Sequence, residues 1–238
     1  MAEKMPPVRA LKLVSAPIHP EGRIFVASAA VLTAVLFWLW VPMGWLGTVV
    51  TVFCAYFFRD PDRMSPSGEA LVLSPVDGKV LAVGPADPPA ELDLEPRKWV
   101  RISIFLNIFN VHVNRFPVDG VVRRIRYHPG KFFNAALDKA SDDNERNAVH
   151  LSSIGGEDVV VVQIAGLIAR RIVCDAREGQ EVVAGERLGI IRFGSRADVY
   201  LPSSSNLRVI PGQTMIGGET VLGEFMVTPT VLTKTLGR

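Results

Sequence analysis

A glycine and a serine, Gly194-Ser195, interrupt a run that otherwise reads as strand, IIRFGSRADVYLP over residues 190–202. Glycine weakens a strand interior and marks a bulge or a close approach of backbone. A serine hydroxyl is a poor nucleophile until a neighbouring base takes its proton. No Gly-X-Ser-X-Gly pattern surrounds it, so the nucleophile elbow of the hydrolases is not indicated. The general partner of such a serine is a histidine oriented by a carboxylate. Four histidines are present. His19 lies in the N-terminal arm and reads as a solvated bystander, and His150 follows a polar loop without a motif. His112 sits in the strand-like NVHVNRFP, and His128 precedes Pro129-Gly130. Asp77 and Asp119 each stand in a Pro-Val-Asp-Gly, which is also an ordinary hairpin turn. Cys54 and Cys174 give neither metal spacing nor a disulfide framework, so no metal is expected.

The elements that must position these residues read mostly as strands. ALVLSPVDGKVLAVG and WVRISIFLNIFNVHVNRFPVDGVVRRIRYHPG each place apolar runs around a Pro-Val-Asp-Gly, which predicts hairpins. DVVVVQIAGLIARRIVCDA reads as one long central strand, and KFFNAALDKASDDNERNAVHL as a loop. A Gly-punctuated pattern occurs at 179–189 and loosely at 212–223, similar to the turns of small β-sandwiches that carry biotin or lipoate. The expectation is a mainly β, compact sandwich over residues 59–238.

Residues 1–23 form a basic arm, and from Ile24 to Phe58 there are 35 residues without a charge. One helix of that length would measure about 50 Å against a hydrocarbon core of about 30 Å. Val41-Pro42-Met43-Gly44 divides the stretch, which predicts a hydrophobic helical hairpin that associates with a membrane. Lys4, Arg9, Lys12 and Arg23 on one flank and Arg59 and Arg63 on the other place both ends on the cytoplasmic side of the cell's inner membrane. Trp38, Trp40 and Trp45 bracket the turn, as an aromatic belt would. A net charge of +2 with no dense Lys/Arg track excludes nucleic acid as the expected partner.

Seven segments in order carry a resemblance: FFRDPDR (57–63), SPVDGKV (74–80), FNVHVNRFPVDG (109–120), YHPGKFFNA (127–135), NERN (144–147), VQIAGLIARRIV (162–173) and FGSRADVYLP (193–202). Together they resemble the short bacterial and archaeal form of phosphatidylserine decarboxylase. The resemblance implies a proenzyme that cuts itself between Gly194 and Ser195, into a β chain of residues 1–194 and an α chain of residues 195–238 that stay associated. Ser195 becomes a covalent pyruvoyl group, which forms a Schiff base with phosphatidylserine in an anionic membrane and yields phosphatidylethanolamine. It further implies His112 as a catalytic histidine and Asp77 as the carboxylate that orients it. Longer bacterial members have His-X-X-His where this chain has His112-Val-Asn-Arg115. Arg115 is therefore a candidate for the substrate phosphate or carboxylate, and His128 is the reserve histidine. Arg123, Arg124, Arg126 and Lys131, beside Phe132 and Phe133, are candidates for docking to anionic headgroups. Homo-oligomerisation is left open. Three other readings compete: a membrane-anchored β-sandwich adaptor without catalysis, a pyruvoyl decarboxylase for another amine, and a biotin or lipoate carrier, which lacks a lysine at the expected turn tip because PVDGKV puts Lys79 after the Gly. The first lacks the long heptad helices such adaptors carry, and the second has no need of Ile24–Phe58.

Overall fold

The computed structural model describes residues 16–130, 144–166, 171–192 and 194–226. Two helices open it, α1 (Pro20–Leu39) and α2 (Val41–Phe57), with Trp40 alone between them in extended conformation. The proline expected to divide the apolar stretch instead lies in the first turn of α2, where its missing N–H has no intrahelical role to lose. Helix α1 also begins before the uncharged stretch, at Pro20, and His19 caps it by accepting from the Glu21 N–H (3.3 Å). His19 is buried, which corrects its reading as a solvated bystander. The helices meet where α2 has no bulk. A Cβ on Gly44 would strike the Phe37 ring at 2.3 Å, and Thr33 and Thr51 share a hydrogen bond of 2.9 Å across the pair. The outer faces are apolar and bare: Val31, Trp38, Leu39, Trp45, Val49 and Val52 are all exposed. Helix α1 is long and apolar enough to cross a membrane, with a mean hydropathy of 1.9.

The rest is mainly β, as expected. Fourteen strands follow among the described residues: β1 (Leu71–Leu73), β2 (Gly78–Pro85), β3 (Trp99–Leu106), β4 (Val113–Arg115), β5 (Gly120–His128), β6 (Arg146–Ser153), β7 (Asp158–Ala165), β8 (Ile172–Cys174), β9 (Glu181–Val182), β10 (Arg187–Ile191), β11 (Ser195–Pro202), β12 (Asn206–Leu207), β13 (Thr214–Met215) and β14 (Val221–Glu224). Eight make one antiparallel sheet in the order β13-β2-β3-β11-β7-β6-β5-β9. Two three-stranded sheets, β1-β14-β12 and β4-β10-β8, complete the domain. The main core joins all three sheets: Ile102, Ile104, Val149, Val161, Ala197 and Val199 from the large one meet Val72, Leu222 and Leu188 from the small ones. The opposite face of the large sheet buries Ala148, Val160, Val162 and Tyr200 under Leu92 and Trp99.

Several expected pairings differ. Neither Pro-Val-Asp-Gly closes a hairpin. Strand β1 pairs with β14 while β2 pairs with β3 and β13, and β4 pairs with β10 while β5 pairs with β6 and β9. Each motif carries the chain from one sheet to another, seating Val76 or Val118 in the core. The aspartates brace these corners by accepting backbone N–H groups, Asp77 from Gly217 (2.8 Å) and Asp119 from Ala184 (2.7 Å). The two Gly-punctuated segments are what supply those N–H groups. The run 158–176 is two strands in two sheets, β7 and β8, and the end of the expected loop is strand β6, which contains His150.

Candidate active site

Gly194-Ser195 is a boundary between sheets and not a bulge. Strand β10 ends at Ile191 in the small sheet, and β11 starts at Ser195 in the centre of the large one. Ser195 is held from both sides, opposite Leu106 of β3 and Ala165 of β7. Side chains alternate along a strand, so Ser195 shares the core-facing side with Ala197 and Val199. It is fully buried, and its Oγ has no hydrogen-bond partner among the described residues. Gly194 has φ of +58°, the left-handed region, yet a Cβ there would meet nothing within 4 Å. The backbone angle, not space, calls for glycine.

His112 lies just before β4 and is fully buried. Its C=O accepts from the Ile191 N–H (3.3 Å), and Ile191 packs on Ala165, the cross-strand neighbour of Ser195. A row of buried amides fixes this segment. Asn147 of β6 donates to Gln163 of β7 (2.9 Å), Gln163 donates to Asn114 of β4 (2.8 Å), and Asn114 donates to the His112 C=O (2.9 Å). On the ring, Nδ1 lies 3.0 Å from the Asn110 C=O. A carbonyl can only accept, so Nδ1 carries the proton and Nε2 is left with its lone pair. Nε2 is buried and has no partner among the described residues. Burial pushes the pKa of His112 down to about 4; the Asn110 bond opposes this and the Arg59 charge adds to it. The ring is a neutral imidazole over the whole physiological range.

The other expected residues fall elsewhere. Asp77 stands at the same end of the large sheet, since Gly78 opens β2 beside β3. However, its carboxylate is taken by Arg63 (2.9 and 3.0 Å) and the Gly217 N–H rather than brought to a histidine. The Asn110 carbonyl orients the ring instead. Arg115 is buried and committed, with Nη2 on Asp60 (2.8 Å) and the Pro61 C=O (2.8 Å) and Nη1 on the Gly185 C=O (2.8 Å). Asp60 also pairs with Arg187. An open cleft of about 690 Å³ lies here, lined by Asp62, Arg63, Arg115 and Arg187 among others, the length of β4 away from His112. His128 is exposed at the end of β5. His150 is bound to Asp158 (2.9 Å) on the opposite face of the large sheet. Arg124 donates to the Leu92 C=O (2.6 Å) and Arg126 to Glu178 (2.8 Å), while Lys131, Phe132 and Phe133 lie outside the described residues. No group of three or more His, Cys, Asp or Glu suited to a metal occurs among the described residues.

Residues that the sequence reading left without a role tie the site to the hairpin. Phe57, at the end of α2, packs against the His112 ring with centroids 4.1 Å apart and planes tilted by 35°. Phe57 and Phe58 pack with Val111, Val113 and Ile190. Arg192, two residues before Gly194, pairs with Glu21 of α1 and lies 5.1 Å over the Phe25 ring. Arg59 donates to the Tyr56 C=O (2.6 Å) and the Phe109 C=O (2.8 Å). For Phe57, Phe58 and Arg59 the signal was the FFRDPDR motif itself, two aromatics followed by four charged residues at the exit of an apolar helix; Glu21 and Arg192 lie outside it.

Fold and site together define a class: a domain of mainly β structure in which a buried histidine packs against the base of an apolar helical hairpin. The sequence profile of phosphatidylserine decarboxylase matches residues 50–223, from within α2 to within β14. The phosphatidylserine decarboxylase proenzyme of Nitrobacter winogradskyi is 54% identical over 220 residues, covering 92% of this chain and 89% of that protein. The chain belongs to the phosphatidylserine decarboxylase family, and its reaction class is decarboxylation.

Proposed function

We propose that this chain is a proenzyme that cleaves itself between Gly194 and Ser195 and then decarboxylates phosphatidylserine to phosphatidylethanolamine at a membrane surface. One observation carries the reading: Ser195 Oγ and His112 Nε2 are buried polar atoms without partners among the described residues, on segments joined by the bond from the Ile191 N–H to the His112 C=O, and a left-handed glycine precedes the serine. Buried polar atoms are normally satisfied, so two unsatisfied ones on reactive side chains point to chemistry. His112 Nε2 accepts the Ser195 proton. Oγ attacks the Gly194 carbonyl carbon, the Gly194–Ser195 C–N bond breaks, and an ester replaces the amide. Elimination then releases Gly194 as the carboxylate end of the β chain (1–194). Hydrolysis of the remaining imine frees ammonia and leaves the α chain (195–238) with a pyruvoyl end.

Ser195 fits such a group because β3 and β7 hold its strand whether or not the chain continues upstream. The pyruvoyl group supplies an electron sink when carbon dioxide departs. His112 holds and returns a proton at Nε2, and the Asn110 carbonyl keeps its tautomer. Asp77 supports the same sheet end through Arg63 and Gly217. The bare apolar faces of α1 and α2 favour a lipid over a soluble amine, with the hairpin embedded in the cytoplasmic face of the inner membrane.

Intact-mass analysis of the wild type beside Ser195→Ala tests the reading. The wild type should give chains of 194 and 44 residues, the smaller with a blocked N-terminus, and the variant one full-length chain without activity on phosphatidylserine vesicles. A folded wild type that stays whole and ignores carbonyl-trapping reagents would overturn it.

A further inference from the structure

The segment joining β3 to β4 holds two apolar side chains in the open. Ile108 is 37% exposed and Phe109 60% exposed. The turn that presents them is built. Asn110 N–H donates to the Asn107 C=O (3.0 Å), the Asn107 carboxamide accepts from the Phe109 N–H (2.8 Å), and the Asn110 carboxamide accepts from the Asn107 N–H (2.9 Å). Its tip is fastened to the hairpin: Phe109 lies edge-on to Phe53 of α2, centroids 6.4 Å apart, and its C=O accepts from Arg59 (2.8 Å). Its last residue holds the His112 ring through the Asn110 C=O. The apolar surface of the turn is thus continuous with the bare face of α2 at one end and one bond from the imidazole at the other.

We propose that the Asn107–Asn110 turn is a second bilayer contact, which seats Ile108 and Phe109 at the boundary of headgroups and acyl chains and sets His112 at the level of the lipid headgroup. The occupant is lipid and not another protein, because Phe109 extends the same apolar face that the hairpin turns outward, and the polar Asn107 and Asn110 rim it. The proposal rests on the reading of the hairpin as membrane-embedded. It gives the enzyme an orientation: a single hairpin leaves the domain free to tilt, whereas a second contact beside it fixes which side of the domain meets the surface.

A probe that does not depend on activity tests it. In full-length Ser195→Ala protein with Cys54→Ala and Cys174→Ser, an environment-sensitive fluorophore is placed at Phe109→Cys, or at Ile154→Cys in the β6–β7 turn at the opposite end of the large sheet. The protein is reconstituted into phosphatidylcholine/phosphatidylserine vesicles containing lipid-borne nitroxide. The position-109 probe should be quenched at least twofold more than the position-154 probe, and should be the less accessible of the two to an aqueous quencher. Equal quenching at the two positions, or protection at 109 that grows with protein density instead of lipid nitroxide, would overturn the proposal. In the active enzyme, Ile108→Ser with Phe109→Ser should mature fully and keep its rate on monodisperse short-chain phosphatidylserine. Its KM on vesicles should rise roughly tenfold, the scale expected from losing buried aromatic area. An unchanged vesicle KM would overturn the proposal. Failure of the decarboxylase reading would instead appear as an uncut wild type, whatever the probes report.

Discussion

At the scale of the residue, the site rests on a histidine kept neutral by burial and by one backbone carbonyl. An ordinary histidine titrates near 6.5, whereas His112 is pushed down to about 4. Between those values the unfolded chain binds a proton that the folded chain refuses, so stability rises with pH across this window. The contribution is complete above about pH 6.5 and is lost as pH falls toward 4, on the order of 3 kcal/mol in all. In a histidine-selective NMR titration of Ser195→Ala protein, the His112 imidazole should stay neutral down to about pH 5. His112→Gln should slow self-cleavage by about 10²–10⁴-fold, read as the lifetime of the full-length band in cell-free translation. The sequence singled out His112 and Ser195 because FNVHVNRFPVDG and FGSRADVYLP are among the segments that carry the family resemblance. It pointed to Asp77 as the orienting group, because a carboxylate in a turn looks the same whether it faces a histidine or Arg63. The Asn110 carbonyl could not be read at all, since every residue has one.

At the scale of the element, the row Asn147–Gln163–Asn114 spans from the large sheet to β4 and is what stiffens the segment carrying His112. Each amide is buried, and each depends on the next for a partner. Gln163→Leu removes the middle member and strands the Asn147 donor and the Asn114 acceptor. A loss of about 1–3 kcal/mol for each is expected, seen as a lower thermal midpoint. Self-cleavage should also slow, because His112 loses its brace, whereas a merely structural role would lower stability and leave the cleavage rate of the folded protein unchanged. The apolar runs and their turns located most strands in the sequence. Pairing was not legible, because Pro-Val-Asp-Gly ends one strand and starts another without stating which sheet the second one joins. The same ambiguity hid the division of residues 158–176 between β7 and β8.

At the scale of the whole molecule, the proposed cut between Gly194 and Ser195 falls where it would change little. The α chain would begin with β11, locked between β3 and β7, and would also supply β12, β13 and β14 to two different sheets. Directly after the new end, buried Arg196 is oriented by Asp198 of the same strand (2.6 and 2.8 Å) and donates to Ser103 of β3 (2.9 Å), which ties β11 to its neighbour. The two chains should therefore co-elute in mild detergent. After concentrated guanidinium and dilution, the Ser195→Ala precursor should refold while the matured pair does not. Once two chains separate, the central strand must be recovered from solution instead of from the same polypeptide.

Read alone, the chain established an apolar hairpin and a mainly β domain, because each depends on local composition: absent charge and β-branched runs; the glycine-serine bond was marked only by the resemblance of the segments around it. Only the tertiary structure decided that β10 and β11 belong to different sheets, that three amides brace the histidine, and that Phe57 carries the hairpin to its ring. Those relations arise between segments distant in sequence, and burial, which sets both the imidazole's charge and the reach of each hydrogen bond, exists only once the segments have packed.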